Sequence, residues 1–86
     1  MPSTTVVVGS AVGLHARPAA VIAEAASALS TPVTLAVEGG GPVDAGSALM
    51  IMTLGAEKGT EVIVESDDQA AVDTIAALVA QDLDAE

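Results

Sequence analysis

The chain has 86 residues, 51% of them hydrophobic, without Cys, Phe, Trp or Tyr, and its 12 acidic and 2 basic residues give a formal charge of −10 at pH 7. This length allows one domain, expected to span residues 1–86, whose small core is built from aliphatic side chains and Ala. The absence of Cys excludes disulfides, thiolate metal sites and cysteine nucleophiles, and the acidic balance argues against nucleic acid or anionic membranes as partners.

The first third of the chain has the pattern of a strand followed by a helix. Residues 4–8 are β-branched throughout and end at Gly9, which predicts a strand. Apolar residues recur at helical spacing over 19–29, and Pro18 fits the first turn, where its missing N–H costs nothing. We expect a helix of about four turns that ends at residues 30–32, Ser-Thr-Pro.

The middle of the chain contains a predicted hairpin and one ambiguous segment. Residues 33–37 alternate as in a half-buried strand. A glycine-rich turn at 39–42 precedes Val43, which we expect to pair back onto that strand. Residues 47–54 form an apolar run closed by Gly55, which suits a short helix or a strand, and periodicity alone does not separate the two.

The last third contains one more strand and one more helix. Residues 61–65 alternate as a strand, and residues 66–69 (Ser-Asp-Asp-Gln) match a capping box that starts a helix at Ser66. The apolar stripe of that helix consists of Val72, Ile75, Ala76, Val79 and Leu83. The resulting order, β-α-β-β-α-β-α, predicts an α+β fold. No window approaches the ~18 apolar residues that span a bilayer, and we expect a cytoplasmic protein.

The charged residues are distributed unevenly. Nine of the twelve acids lie at or after Glu57, and none precedes Glu24. The only His and the only Arg, His15 and Arg17, lie in this acid-free segment at the predicted start of the first helix. Lys58 is the one other basic residue.

The placement of His15 and Arg17 suits the binding of a phosphoryl group. A helix N-terminus offers N–H donors and a partial positive charge to an anion. Arg17 adds a planar fork of donors, and His15 adds a nucleophilic ring nitrogen. On spacing alone, the commoner explanation is an exposed polar histidine beside a solvated arginine. A stand-alone hydrolase is disfavoured, because no second His or nucleophile–base pair accompanies His15.

The string at residues 13–20, GLHARPAA, resembles the active-site signature of the HPr family, the histidine-containing phosphocarriers of the bacterial sugar phosphotransferase system. Residues 53–55 (TLG) and 58–60 (KGT), the acidic start of the last helix and the chain length agree with it, so the resemblance covers essentially the whole chain. It implies an open-faced β-sandwich, a four-stranded antiparallel sheet covered on one face by three helices. It also implies a helix over 47–54.

The resemblance implies that His15 accepts a phosphoryl group on Nδ1 from enzyme I, which phosphoenolpyruvate has charged, and passes it to the IIA component of a sugar permease. Arg17 would contact the phosphoryl oxygens, and the early helix N–H groups, including that of Ala16, would complete the cradle, with Pro18 fixing the turn. Such a protein is a carrier rather than an enzyme. It needs no metal or cofactor, and we expect a monomer.

A regulatory serine opens the second helix in the family, and Ser47 occupies that position. A serine kinase acting on Ser47 is therefore a further candidate partner. The surroundings depart from the family pattern, with Gly46 where Lys or Asn is usual and Ala48 where a larger apolar residue is usual. The alternative role of Ser47 is a helix N-cap, worth about 1 kcal/mol.

The resemblance also implies apolar contacts to the partner proteins, which we assign to Ala20, Leu49, Met50 and Met52. We expect Leu49 and Met50 to be partly exposed, because one face of a short helix cannot bury all of these side chains. Family members often carry Lys on the first helix and around the regulatory serine, whereas this chain has Glu24, Ser27 and Gly46 there. Charge steering should therefore be weak or altered, and apolar contact should carry more of the affinity.

Two other functions stay open at this point. The chain could be an HPr-like regulatory binding module controlled through Ser47, although His15 argues against it because relatives of that kind usually lack the active histidine. It could also be the carrier of a nitrogen-related or dihydroxyacetone-related phosphorelay. The sequence does not separate this relay from sugar transport, because specificity resides in the partners.

Overall fold

The structure, a computed structural model, describes residues 2–11 and 13–81. It contains β1 (Ser3–Val7), α1 (Ala16–Ser27), β2 (Val33–Val37), β3 (Val43–Asp44), α2 (Ala48–Thr53), β4 (Glu61–Ser66) and α3 (Gln69–Ala80). The predicted element order is confirmed, and the ambiguous segment at 47–54 contains a helix. Among the described residues, no helix is long and apolar enough to cross a membrane.

The four strands form one antiparallel sheet in the order β1-β4-β2-β3. β4 lies between β1 and β2, so that Val64 pairs with Thr4 on one side and with Leu35 on the other. β3 completes the sheet through the pair Leu35–Val43, which confirms the predicted hairpin. Strand burial alternates along β4, where Val62 and Val64 are buried and Ile63 is exposed, so one face of the sheet is covered and the other is open.

The core lies between the covered face of the sheet and the three helices. Each helix contributes one fully buried isoleucine: Ile22 from α1, Ile51 from α2 and Ile75 from α3. Small buried side chains on the same helix faces, Ala19 and Ala76 among them, allow close approach to the sheet. The expectation of an open-faced α+β fold with an aliphatic core is confirmed.

Two predicted helix boundaries were wrong. α1 ends at Ser27 rather than at residues 30–32. Its C-cap, Ala28, shares its N–H between the carbonyl oxygens of Glu24 and Ala25, which is the tightening typical of a last helical turn. The N–H of Leu29 then donates to the carbonyl oxygen of Ala26, three residues earlier, and the half-buried side chain of Leu29 packs against the core. The helix therefore has about three turns rather than four.

The capping box predicted at residues 66–69 was also wrong. Ser66 is the last residue of β4, where its pairing with Val33 turns the side chain into the core. Its hydroxyl donates to the carbonyl oxygen of Pro32 at 2.8 Å and accepts from the N–H of Asp68 at 3.3 Å. Asp68 is the N-cap of α3, and its carboxylate accepts from the N–H of Ala70 at 3.0 Å. The buried stripe of α3 runs as predicted through Val79, while Leu83 lies outside the described residues.

Candidate functional site

His15 lies at the N-terminus of α1, where it is the N-cap residue. Its backbone is extended, with φ −122° and ψ 161°, and its side chain makes no capping hydrogen bond. The residue is exposed, so the ring is accessible from solvent. The structure therefore places the predicted phosphoryl acceptor at the position where the helix dipole favours an anion.

The first turn of α1 supplies the other predicted site residues. Ala16 and Arg17 are exposed and occupy its first two positions, where main-chain N–H groups have no partner within the helix. Pro18 follows as a buried residue without an N–H. This turn therefore presents main-chain donors next to His15, and its second residue is the exposed Arg17.

Ala16 has an unusual backbone conformation. Its φ is +48°, and among the described residues it is the one non-glycine residue with a positive φ. The left-handed conformation costs an L-residue about 1–2 kcal/mol, because its Cβ approaches a carbonyl oxygen. The chain thus enters α1 through a strained residue directly after His15.

The segment before His15 is fixed to the loop between α2 and β4. Leu14 is buried, and its N–H donates to the carbonyl oxygen of Ala56 at 2.9 Å. Gly13 adopts φ +74°, and a Cβ at this position would lie 2.4 Å from the same oxygen. Only glycine satisfies both the conformation and the close approach. The main chain entering His15 is therefore packed directly on Ala56.

The same segment is held a second time at the end of α3. Gly9 donates its N–H to the carbonyl oxygen of Val79 at 3.1 Å. The hydroxyl of the buried Ser10 donates to the carbonyl oxygen of Gln81 at 3.2 Å. A Cβ on Gly9 would lie 1.9 Å from the carbonyl oxygen of Ala80. These bonds satisfy carbonyl groups that a helix C-terminus leaves without a helical partner.

Ser47 is the N-cap of α2, as one of the two predicted roles requires. Its hydroxyl accepts from the N–H of Met50 at 3.3 Å. The preceding residue, Gly46, donates its N–H to the Asp44 carboxylate at 2.8 Å and accepts from the hydroxyl of Ser27 at 3.2 Å. The N-terminus of α2 is thus tied to the C-terminal end of α1.

The residues predicted to contact partner proteins lie on these two helices. Leu49 is 70% exposed and Met50 is 42% exposed, which confirms the expected exposure. Ala20 is also exposed, whereas Met52 is half-buried and packs against the core. We name Ala20, Leu49, Met50 and Met52 the apolar face.

The two helices that carry the apolar face have few charged residues. The charged residues of α1 are Arg17 and Glu24, and α2 has none. Within residues 2–11 and 13–81, no group of three or more His, Asp or Glu side chains is arranged to hold a metal ion.

Sequence reasoning missed the part of the site that acts through the main chain. The bond between Leu14 and Ala56 involves two peptide groups, and no side-chain type indicates it. Gly13 was a usable signal, because a glycine before a helix start often marks a close backbone approach. The left-handed conformation of Ala16 had no signal, because alanine favours the right-handed helix.

Comparison with known proteins identifies the family of the chain. The family model described as the PTS HPr component phosphorylation site matches residues 2–81. Phosphocarrier protein HPr of Streptomyces coelicolor is 45% identical, over 98% of this chain and 94% of that protein. HPr-C-His from Thermoanaerobacter tengcongensis has a similar structure, with a TM-score of 0.83 and 30% identity over 92% of this chain and 91% of its own. A phosphocarrier protein HPr from Bacillus anthracis has a TM-score of 0.81 and 30% identity, over 91% and 95% of the two chains. The chain belongs to the HPr family, the phosphocarriers of the phosphotransferase system.

Proposed function

We propose that His15 is the phosphoryl acceptor of this phosphocarrier, and that it takes its phosphate from phospho-enzyme I and delivers it to IIA components of sugar permeases. The observation that carries the proposal is an exposed histidine at the N-terminus of α1, with its side chain not engaged as a cap. We further propose that the chain acts in the cytoplasm as a monomer, with one domain spanning residues 1–86.

The proposed reaction is a reversible phosphoryl transfer. Nδ1 of His15 forms a bond to phosphorus while the bond from phosphorus to the donor breaks, and the reverse sequence delivers the group to the acceptor. The N–H groups of Ala16 and Arg17 and the guanidinium of Arg17 are suited to the equatorial oxygens, which carry the negative charge during transfer. Because the site is open to solvent, the phosphoryl group stays within reach of the next protein.

The apolar face is the proposed docking surface for both partners. Leu49 and Met50 are large apolar side chains exposed on α2, which packs beside α1. Methionine side chains adapt to differently shaped surfaces, which suits a protein that must bind a donor and an acceptor in turn. Enzyme I and IIA components would therefore share this surface and exclude one another.

Ser47 is proposed as a structural cap that is also a candidate site for a serine kinase. Its hydroxyl already accepts the N–H of Met50, and the Asp44 carboxylate lies in the turn directly before it. A phosphate would add a charge of about −1.5 to −2 beside the apolar face and would replace the cap. Phosphorylated Ser47 would therefore weaken docking rather than alter the chemistry at His15.

The test of the proposal is a phosphorylation assay with phosphoenolpyruvate and enzyme I, read as a mass shift. The unaltered chain should gain one acid-labile phosphate, and His15→Ala should gain none. Because His15 makes no capping bond through its side chain, this variant should keep its fold. Persistence of the label in His15→Ala would refute the assignment.

Two further variants sharpen this assay. Ser47→Ala should be labelled as the unaltered chain is, because the label resides on His15. Arg17→Ala should also be labelled to completion, but with a saturating rate lower by about 10²-fold, the usual cost of losing one donor to a transferring group.

A further inference from the structure

We propose that Thr60 is a positioning residue for His15, and that its hydroxyl acts through the peptide group between Ala56 and Glu57. The inference rests on the proposed role of His15 as the phosphoryl acceptor. It gives a function to the KGT segment at residues 58–60, which lies apart from the phosphoryl site in the sequence.

The side chain of Thr60 fixes one end of this peptide group. Thr60 closes a turn over residues 57–60, in which its N–H donates to the carbonyl oxygen of Glu57 at 2.9 Å. In return, the N–H of Glu57 donates to Oγ1 of Thr60 at 3.1 Å. The hydroxyl therefore holds the N–H that belongs to the peptide group joining Ala56 to Glu57.

The other end of the same peptide group holds the main chain in front of His15. Its carbonyl oxygen, that of Ala56, accepts from the N–H of Leu14 at 2.9 Å. A peptide group is planar and rotates as one rigid unit, so the bond to Thr60 and the bond to Leu14 share one orientation. Loss of the first bond frees the plane to rotate and weakens the second.

The packing around this peptide group transmits such a rotation to His15. Leu14 and Ala56 are both buried, and Gly13 approaches the Ala56 oxygen so closely that it has no room for a Cβ. His15 is joined directly to Leu14. A displaced Ala56 oxygen therefore changes where the histidine backbone sits.

The turn itself does not depend on the hydroxyl. The carbonyl oxygen of Thr60 accepts from the N–H of Val8 at 2.9 Å, and the N–H of Gly59 donates to the carbonyl oxygen of Val8 at 3.0 Å. These two main-chain bonds fasten residues 59–60 to the end of β1 whatever the side chain is. Removal of the hydroxyl should thus disturb the peptide group while leaving the sheet intact.

The experiment compares Thr60→Val, Thr60→Ser and a matched control, Thr74→Val. Valine keeps the shape of threonine and removes the hydroxyl, whereas serine keeps the hydroxyl. Thr74 is an exposed residue of α3 whose hydroxyl donates to the carbonyl oxygen of Ala70 at 2.9 Å, so its replacement also removes one bond to the main chain. Each variant is assayed for phosphoryl transfer from phospho-enzyme I, for hydrogen exchange of the Leu14 amide and for the free energy of unfolding.

Thr60→Val should lower the saturating transfer rate about 10-fold, because small displacements of reacting groups cost large factors in rate. Its KM should stay within about 2-fold, because the apolar face is unchanged. The Leu14 amide should exchange faster. Thr60→Ser and Thr74→Val should transfer at the rate of the unaltered chain.

Three outcomes would overturn the inference: a normal saturating rate in Thr60→Val, an unchanged Leu14 exchange rate in that variant, or a Thr60→Ser variant as slow as Thr60→Val. If Thr60→Val does not fold, Thr60→Ala takes its place, since it removes the hydroxyl without placing a second methyl group in the turn. If the unaltered chain gains no phosphate, the proposed function fails, while the exchange of the Leu14 amide still tests the contact.

Discussion

His15 and Ala16 are adjacent in the chain, but the backbone is relaxed at His15 and strained at Ala16. His15 is extended and exposed, as the proposed phosphoryl acceptor should be. Ala16 takes a φ of +48°, which an alanine adopts only at a cost. Packing around Ala16 must offset that cost. Leu14 and Pro18, which lie two residues before and after it, are both buried and contribute to this packing.

Replacement of Ala16 by glycine should therefore stabilise the protein. Relief of about 1–2 kcal/mol in the folded state exceeds the entropy that glycine loses on folding, about 0.5–1 kcal/mol. We expect Ala16→Gly to raise the free energy of unfolding by about 0.5–1 kcal/mol in urea denaturation.

The matched control is Ala77→Gly, an exposed position inside α3. The same substitution there should lower the free energy of unfolding by about 1 kcal/mol. A loss at Ala16 as large as the loss at Ala77 would show that the backbone at Ala16 is not strained.

The side chains of the candidate site could be named from the sequence, whereas its main-chain contacts could not. His15 and Arg17 stand out because they are the only His and the only Arg of the chain and lie in a segment free of acids. Ser47 is of a residue type that favours the N-cap of a helix. The contact of Leu14 with Ala56 joins distant parts of the chain through peptide groups that every residue has. Gly13 signals that a close backbone approach occurs there, but no residue type identifies Ala56 as the partner.

At the scale of elements, the junction of β4 and α3 shows how a strand can override a helix signal. The composition of residues 66–69 favours a helix that starts at Ser66. The pairing of Ser66 with Val33 instead extends the strand, and the buried hydroxyl finds two main-chain partners there. The helix then starts from the next suitable cap, which is Asp68.

This junction makes a quantitative prediction for three alanine substitutions. Ser66→Ala should lower the free energy of unfolding by about 1–3 kcal/mol, because it leaves the carbonyl oxygen of Pro32 and the N–H of Asp68 without this partner. Asp68→Ala should cost about 1 kcal/mol, the usual value of an N-cap. Gln69→Ala should cost only about 0.2–0.5 kcal/mol, since its amide contacts Asp73 on the helix surface.

Urea denaturation of the three variants measures these values. A capping box would instead make Gln69 nearly as important as Ser66, and a loss of about 1 kcal/mol in Gln69→Ala would contradict the structure.

The order of the elements was predictable because most of them bury one face. Their apolar residues therefore recur in the sequence at the spacing of a strand or of a helix. Residues 33–37 and α3 are examples, with periods of a strand and of a helix. The segment at 47–54 is too short for periodicity to decide, and packing of Ile51 into the core settles it as a helix. The end of α1 was mispredicted because it depends on the main chain at Ala28 and Leu29, where the bonds tighten from four residues to three and no side-chain type marks the change.

At the scale of the whole molecule, the proposed docking surface lies on two helices that carry few charged residues. The net charge is −10, yet nine of the twelve acids lie at or after Glu57. The apolar face lies on two helices whose charged residues are Arg17 and Glu24. Association with phospho-enzyme I should therefore depend on apolar burial more than on charge steering.

We expect the rate of phosphorylation at sub-saturating concentrations to change by less than about 3-fold between about 0.05 and 0.5 M salt. Leu49→Ala should raise KM about 10-fold at both salt concentrations, as for a central interface residue. Ile63→Ala is the control, because Ile63 is 39% exposed on the open face of the sheet and should leave KM unchanged. A steep fall of the rate with salt would show that charge controls the encounter.

The central position of β4 in the sheet also determines the order in which a ribosome can build this protein. β1 and β2 leave the ribosome early, but both pair with β4, which is translated after them. Until β4 emerges, the hairpin of β2 and β3 is the only pairing of these strands available to the nascent chain. β1 therefore has no partner strand until β4 has been made, so the sheet closes in one late step that depends on contacts between distant parts of the chain.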